Sequence, residues 1–278
     1  MDPIIKTEKL CFSYDGASFA ISDISLEIYR GEAVSIIGPN GSGKTTLVKH
    51  FNGLLKPTSG RVFVNGMDTR KTTTAELART IGYVFQNPNH QIFSNTVLDE
   101  VVFGPKNVGF KDAEKLAIAS LESVNLGDKV DASPFSLSLG EKERLAIASL
   151  LAMQPDILIL DEPTTGQDYS TCLAIMNLAS NLKRLGKTMI LITHDMDVAA
   201  EWTDRVFVLS EGFLLRQGKP SEVFSDFDFL QSIHLSPPQM LKVGRLLGFE
   251  SVYMSVDELA GRLKSEISQL YKSGIVFS

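Results

Sequence analysis

One glycine-rich segment restricts the fold of this chain more than any other feature. It fills the pattern G-x-x-x-x-G-K-[ST] with Gly38, Pro39, Asn40, Gly41, Ser42, Gly43, Lys44 and Thr45. A short apolar run at 33–37 precedes the segment and a helical pattern follows Lys44, which is the strand–loop–helix context that the motif needs. A chance match is on the order of a percent for a chain of ordinary composition. The segment therefore predicts a phosphate-binding loop rather than a plain glycine-rich turn.

The residue types of this loop suit a nucleotide polyphosphate. Glycines let the backbone approach phosphate closely, and successive N–H groups form a nest for its oxygens. The helix that follows adds the positive end of its dipole. We expect Lys44 to reach the β- and γ-phosphates and the Thr45 hydroxyl to hold Mg²⁺, with the adjoining Thr46 in the same nucleotide site.

Two other apolar runs end in polar side chains. Asp161 and Glu162 follow the run at 157–160, and His194 follows the run at 189–193. Because α/β folds bind ligands at the carboxyl ends of their strands, we expect Asp161 to hold Mg²⁺ through water and Glu162 to act as general base for an attacking water. His194 would orient that water. Two bland alternatives stay open, a solvated acidic pair and a structural histidine.

Strands and helices alternate along most of the chain. Apolar patterns predict strands at 4–12, 21–28, 33–37, 61–64, 81–85, 157–160, 188–193 and 205–210. Helical spacing predicts helices at 76–80, 111–124 and 141–153, and a helical insertion at about 87–155. This alternation indicates an α/β fold with a mostly parallel sheet that is covered on both faces.

The C-terminal part of the chain has a different character. Ser236-Pro237-Pro238 breaks the pattern, and two short helices are expected after it. The second begins at Ser255, where Glu258 three residues later completes a capping-box pattern, and an apolar stripe then runs from Val256 to Leu270. We therefore divide the chain into a main domain at 1–225 and a small helical extension at 226–278.

Composition argues against several classes of protein. The formal net charge of −6 does not fit a wholly basic nucleic-acid-binding protein. Cys11 and Cys172 form no C-x-x-C pair, so a zinc knuckle, a redox dithiol or a disulfide scaffold is not expected. No run reaches the ~18–20 apolar residues of a spanning helix, and the N-terminus lacks a signal-peptide pattern. We expect a soluble chain, or one that is bound to a membrane through a partner.

Taken together, these residues resemble an ABC-type ATPase subunit, a branch of the P-loop NTPases, over roughly residues 4–225. The further motifs that carry the resemblance are the adenine-stacking Tyr14, the Q-loop Gln86, the LSGGQ-like signature Leu137–Glu141, the D-loop Thr165–Asp168 and the switch histidine in Thr193–Asp195. The resemblance implies a mostly parallel core sheet, an antiparallel β subdomain, a helical signature subdomain and a small C-terminal helical domain. It also implies that Gln86 is a Mg²⁺ ligand.

The family's mechanism places two cassettes head to tail, with ATP between the phosphate loop of one and the signature of the other. Ser138 and the N–H of Gly140 would then contact the γ-phosphate in trans. Three residues depart from the family pattern: Leu139 replaces Gly, Glu141 replaces Gln, and Gln167 replaces the usual Leu of the D-loop. These are either tolerated variants or signs of a weakened composite site.

Two segments resemble the energy-coupling-factor branch, which imports cobalt or vitamins. They are Gln86–Val97 and Phe103–Asn107, which in that branch frame the surface that receives the coupling helix of a membrane partner. Ile92, Phe93 and Phe103 could offer an apolar groove for such a helix, unless they belong to the core of the helical subdomain. The C-terminal extension is similar to that branch's dimerising tail.

The resemblance implies an ATP-hydrolysing subunit, with ATP and Mg²⁺, at the cytoplasmic face of the cell membrane. Its expected partners are a second cassette, identical or paralogous, a transmembrane coupling protein and a substrate-binding membrane protein, with no nucleic acid. The transported substrate is a metal ion or a vitamin. The alternative is a soluble ABC ATPase for assembly or nucleic-acid maintenance, which the single phosphate loop, the two cysteines and the short spacing from Gln86 to Asp161 disfavour.

Overall fold

The computed structural model describes residues 2–249 and 251–272. Its strands are β1 (Ile5–Phe12), β2 (Ile21–Ile28), β3 (Ala33–Ile37), β4 (Ser59–Val64), β5 (Met67–Asp68), β6 (Ile81–Val84), β7 (Ile157–Asp161), β8 (Thr188–Ile192), β9 (Arg205–Ser210) and β10 (Phe213–Gly218). Its helices are α1 (Lys44–Phe51), α2 (Thr74–Leu77), α3 (Val97–Val108), α4 (Ala113–Ser123), α5 (Leu139–Leu151), α6 (Tyr169–Arg184), α7 (Met196–Trp202), α8 (Pro220–Phe224), α9 (Phe227–Ser232), α10 (Gln239–Leu246) and α11 (Val256–Lys272). The expected alternation of strands and helices is confirmed.

The described strands form two sheets, as the resemblance implied. One sheet is antiparallel, in the order β2-β1-β4-β5. The other has the order β10-β9-β3-β8-β7-β6, with parallel pairing throughout except at β10, which lies antiparallel at the edge. Every residue of β3, β7 and β8 is buried, which explains why these strands are continuous apolar runs rather than alternating ones.

The register of the parallel sheet brings the predicted site residues to one edge. Ile36 of β3 pairs with Ile192 of β8, and Ile192 pairs with Asp161 of β7. The phosphate loop and His194 leave β3 and β8 just beyond this level. The carboxyl ends of three neighbouring strands therefore supply the phosphate loop, the acidic pair and the histidine, where an α/β sheet binds its ligands.

The expected helical insertion is present and has a core of its own. Helices α3, α4 and α5 pack around a cluster that includes Val101, Leu121 and Leu145. Helix α3 was not predicted as a separate element. Its Gly104 lies close to the end of α5, because a Cβ there would come within 3.7 Å of the Ser149 carbonyl oxygen in α5 and within 2.7 Å of Met153 Sδ, two residues after α5.

Element boundaries differ from expectation where capping decides them. The helix expected at 76–80 is α2, which starts earlier because the Thr73 hydroxyl accepts from Glu76 N–H and the Glu76 carboxylate accepts from Thr73 N–H. At Ser255 only half of the capping box forms as expected. Glu258 N–H donates to Ser255 Oγ, whereas the Glu258 carboxylate accepts from Met254 N–H.

The C-terminal helices continue the main core rather than hanging from a linker. Leu230, Ile233 and Leu241 share one buried cluster with Val208 of β9 and Phe224 of α8. The two helices expected after the proline pair are α10 and α11, and α9 was not predicted. The division at residue 226 stays a prediction. In the stripe of α11, Leu259 is buried and Ile267 is exposed, while the side chain of Leu270 and residues 273–278 lie outside the described part.

None of the helices within residues 2–249 and 251–272 combines the length and the apolar character that a membrane crossing requires.

Candidate functional site

The phosphate loop contains glycines whose replacement by any other residue would displace neighbouring atoms. Gly43 is the N-cap of α1, with φ 98°, and a Cβ there would lie 2.7 Å from Ile21 Cγ2. A Cβ at Gly38 would lie 2.0 Å from the carbonyl oxygen of Leu209. A left-handed backbone and a close neighbour each demand glycine at these positions. The loop therefore leads its N–H groups into the start of α1, which is the geometry of an anion-binding helix terminus.

Lys44 lies across this loop. Its ammonium donates to the carbonyl oxygens of Gly38 at 2.8 Å and Pro39 at 3.0 Å. The residue is buried, and burial lowers the pKa of the amine, with the nearby charges of Glu162 and Asp161 opposing the shift. Because its ammonium is held at the loop by these two carbonyl oxygens, Lys44 is placed to contact an anionic ligand that binds there.

The Asp161 carboxylate is buried beside the loop and is held by two hydroxyls. The Tyr83 hydroxyl donates to Asp161 Oδ2 at 2.6 Å, and Thr45 Oγ1 donates to the same oxygen at 3.2 Å. Burial raises the pKa of Asp161, and these two hydrogen bonds oppose the shift. A hydroxyl and a carboxylate at this spacing match the hard oxygen ligands of Mg²⁺, which takes one or two carboxylates and completes its shell with phosphate and water. Tyr83 was not singled out from the sequence, because nothing local links it to a residue 78 positions away.

Glu162 is the centre of a polar network at the end of β7. Its Oε2 accepts from Gln86 Nε2 at 2.9 Å and from Thr165 Oγ1 at 3.2 Å, and it lies 3.3 Å from His194 Nδ1. Glu162 has φ 51°, a left-handed conformation that costs a non-glycine residue free energy and that clusters at functional sites. The structure thus brings together Gln86, Glu162 and His194, which the sequence analysis placed after three separate strands.

A large open groove of about 1070 Å³ joins these elements. It is lined by the phosphate loop from Gly38 to Thr46 and by Tyr14, Gln86, Glu162, Thr165 and His194. Tyr14 is 65% exposed, and its hydroxyl lies 3.1 Å from Thr46 Oγ1, so the residue is accessible to a ligand in the groove. The lining also includes residues 234–236, which connect α9 to α10 and which no motif marks in the sequence.

The signature residues lie outside this groove, at the start of α5. Ser138 is the N-cap: its hydroxyl accepts from Glu141 N–H at 3.3 Å, and its own N–H donates to Glu141 Oε2 at 2.8 Å. Leu139 is 46% exposed. A Cβ at Gly140 would lie 3.2 Å from Gln167 Oε1, so the signature glycine packs against the D-loop. Ser138 and Gly140 therefore lie apart from the groove that the phosphate loop of the same chain lines.

Comparison with known proteins agrees with this geometry. A family model described as ABC transporter matches residues 21–165. A putative ABC transporter ATP-binding protein from Methanosarcina acetivorans is 42% identical over 96% of this chain, and another from Caldanaerobacter subterraneus is 42% identical over 95%. The chain spans 45% and 46% of the length of these two relatives. The energy-coupling factor transporter ATP-binding protein EcfA from Methanocaldococcus jannaschii is 40% identical over 88% of this chain and 89% of its own.

Solved structures give the same picture. The cbiO1 protein from Clostridium perfringens, part of the ABC transporter complex cbiONQ, has a TM-score of 0.75 and 37% identity, covering 90% of this chain and 100% of its own. A dimeric ATP-binding cassette in a post-hydrolysis state, bound to ADP and Pi, has a TM-score of 0.71 and 33% identity, covering 78% of this chain and 98% of its own.

Proposed function

The chain belongs to the ABC transporter ATP-binding family, and on that premise we propose that it is the ATP-hydrolysing subunit of an energy-coupling-factor importer. Its identity with EcfA and with cbiO1 over most of their lengths supports this branch. The proposed cargo is a metal ion or a vitamin. The proposed partners are a transmembrane coupling protein and a substrate-binding membrane protein, which would hold this chain at the cytoplasmic face of the membrane.

The network around Glu162 carries the proposal for hydrolysis. We assign Glu162 as the general base that accepts the proton of the attacking water, because its carboxylate faces the groove from the end of β7. Gln86 and His194, both within hydrogen-bonding reach of Glu162 Oε2, hold the carboxylate and the water in line. Thr165, from the D-loop, donates a further hydrogen bond to the same oxygen.

The phosphate loop and its surroundings bind the nucleotide in this proposal. The N–H groups of the loop and Lys44 take the phosphates, and Tyr14 stacks on the adenine. Thr45, Asp161 and Gln86 are the residues that would hold Mg²⁺. Bound there, the ion supplies charge neutralisation for the phosphates. Tyr83 keeps the Asp161 carboxylate directed to this point.

A second cassette completes the site. We propose that Ser138 and the Gly140 N–H of one chain contact the γ-phosphate bound by another, identical or paralogous, with the C-terminal helices supporting the pair. The dimer seen for a related cassette supports this arrangement. Closure upon ATP and reopening after hydrolysis shift the population between two states, and this shift does work on a membrane partner.

An exposed aromatic pair on the helical subdomain supports the transport role. Phe93 and Phe103 are 58% and 50% exposed, and their rings pack edge to face at 4.8 Å. Ile92, in contrast, is buried in the core of that subdomain. The groove expected from the sequence therefore reduces to the two phenylalanines, whose area fits the apolar face of an amphipathic coupling helix.

The hydrolysis proposal is tested by Glu162→Gln. The variant should bind ATP as the wild type does and lose turnover by roughly 10²–10⁴-fold, since only the base is removed. The matched control is Glu122→Gln, which replaces an exposed carboxylate on α4 by a carboxamide and should leave turnover unchanged. Undiminished hydrolysis by Glu162→Gln would remove Glu162 from its assigned role.

The transport proposal is tested by co-purification from native membranes. Phe93→Ala with Phe103→Ala should abolish recovery of the chain with membrane proteins and leave the ATP affinity of the purified chain unchanged. Phe213→Ala, which truncates a ring 49% exposed on the edge strand β10, should not affect recovery. Equal recovery of all variants, or no membrane association of the wild type, would contradict an importer role.

A further inference from the structure

The first turn of α5 carries a paired negative charge beside the signature glycine. Glu141 follows Gly140 directly, and its carboxylate Oε1 forms an ion pair with Lys129 Nζ. Lys129 ends a single helical turn, Gly127–Lys129, that follows α4. The pair therefore fastens the connection after α4 to the start of the signature helix. The Glu141 side chain is 20% exposed and that of Lys129 is 37% exposed, so water screens the pair only in part.

The negative charge of Glu141 opposes phosphate binding in the proposed composite ATP site. A carboxylate one residue from a backbone N–H that meets a γ-phosphate repels that phosphate, and this repulsion is strongest when the site closes and excludes water. An ammonium in contact with the carboxylate attracts the phosphate and so opposes this repulsion. The Lys129 hydrogen bond and the Ser138 hydrogen bonds hold the pKa of Glu141 at about 2, so the residue carries its full charge at neutral pH.

We propose that Lys129 is a positioning residue for the composite ATP site, which neutralises Glu141 and thereby lets an anionic phosphate approach Ser138 and Gly140 of the signature. The inference rests on the proposed function, since it needs a triphosphate from a facing cassette. It assigns to this chain a compensating residue for the glutamate that replaces the family's glutamine.

The N-terminal cap of α5 at Ser138 does not depend on the charge of Lys129. The reciprocal bonds between Ser138 and Glu141 do not involve Lys129, so the cap survives when Lys129 is replaced. Glutamine at position 141 keeps a carbonyl oxygen that can accept from Ser138 N–H, but it carries no charge. A pair of substitutions can therefore remove the ammonium alone, the carboxylate alone, or both.

The test measures ATP-dependent dimerisation of the full chain in the Glu162→Gln background, by sedimentation at about 50 mM and about 500 mM salt, where screening differs severalfold. Lys129→Met should weaken ATP-dependent association about tenfold at low salt and less at high salt. Lys129→Met with Glu141→Gln should restore association to within about threefold of the parent. Lys129→Arg should behave as the parent, and Lys115→Met on the exposed face of α4 is the neutral control. ATP binding by each monomer is measured alongside.

Each result decides the inference. The inference is overturned if Lys129→Met associates at low salt as the parent does. It is also overturned if the double variant still associates weakly, or if Lys129→Met and Lys129→Arg lose association equally. A loss that Glu141→Gln rescues cannot come from general unfolding. A parent that binds ATP but stays monomeric would overturn the composite site of identical chains, and with it this inference; a normal parent with no effect at Lys129 would overturn the inference alone.

Discussion

Replacing one buried carboxyl in the signature helix should change how stability depends on pH. Glu143 lies in α5 and is 2% exposed, and its Oε2 has no hydrogen-bond partner among the described residues. Burial raises the pKa of this carboxyl from 4.5 to about 7. We expect Glu143→Gln to keep the size and polarity of the side chain and to remove its ionisation.

The sign and size of the effect follow from the two states. Between pH 4.5 and about 7 the unfolded chain has lost the proton that folded Glu143 retains, so the free energy of unfolding falls as pH rises. A difference of one in pKa corresponds to about 1.36 kcal/mol, so this residue alone removes roughly 3 kcal/mol of stability over that interval. Below pH 4.5 it contributes no pH dependence, and above about pH 7 the loss is complete. Glu143→Gln abolishes this loss.

The assay is urea unfolding of the wild type and of Glu143→Gln at about pH 5, 6, 7 and 8, from which free energies of unfolding are extrapolated. Groups that titrate in both proteins cancel in the difference. The free energy of the variant minus that of the wild type should rise by roughly 2–3 kcal/mol from pH 5 to pH 8. Glu122→Gln, an exposed change on α4, should give a flat difference. A flat difference for Glu143→Gln as well would show that this carboxyl ionises normally and that the reasoning from burial is wrong.

Three further changes test the groove and the core. Lys44→Ala should lower ATP affinity by about tenfold or more, measured by calorimetry, because it removes the ammonium that spans the phosphate loop; unchanged affinity would contradict its assignment. Tyr83→Phe should raise the Mg²⁺ concentration needed for half-maximal turnover by severalfold and leave metal-free ATP binding unchanged, because Asp161 loses a 2.6 Å hydrogen bond. Ile190→Ala should lower the free energy of unfolding by about 2–5 kcal/mol in urea titrations, since this side chain is fully buried in β8; a loss under about 1 kcal/mol would mean that the sheet relaxes around the cavity.

The strands of the parallel sheet could be predicted from the sequence because burial on both faces leaves an unmistakable apolar run. Among these strands β3 and β9 have the predicted ends, and so does β2 of the antiparallel sheet. β10 was missed because it is an edge strand with every second residue exposed and Arg216 and Gln217 in its middle. Among the described strands β10 pairs with β9 alone, and pairing of that kind is decided by tertiary contact rather than by local pattern.

The residue types of the candidate site could be predicted, but the contacts that hold them could not. A loop motif and two strand ends suffice to nominate Lys44, Glu162 and His194. No local pattern indicates that Tyr83 reaches Asp161 or that Lys129 reaches Glu141, because both contacts depend on how separate elements pack. Residues that position a site from a distance in sequence can therefore be identified only from the three-dimensional structure.

The three departures from the family pattern lie close together in space. Gly140 packs so closely against the D-loop that a Cβ would lie 3.2 Å from Gln167 Oε1, while the side chain of Leu139 is 46% exposed beside it. Glu141, on the next position, is balanced by Lys129. The pairing of Glu141 with Lys129 and the retention of Gly140 are therefore compatible with the proposed composite site, whether the second cassette is identical or paralogous.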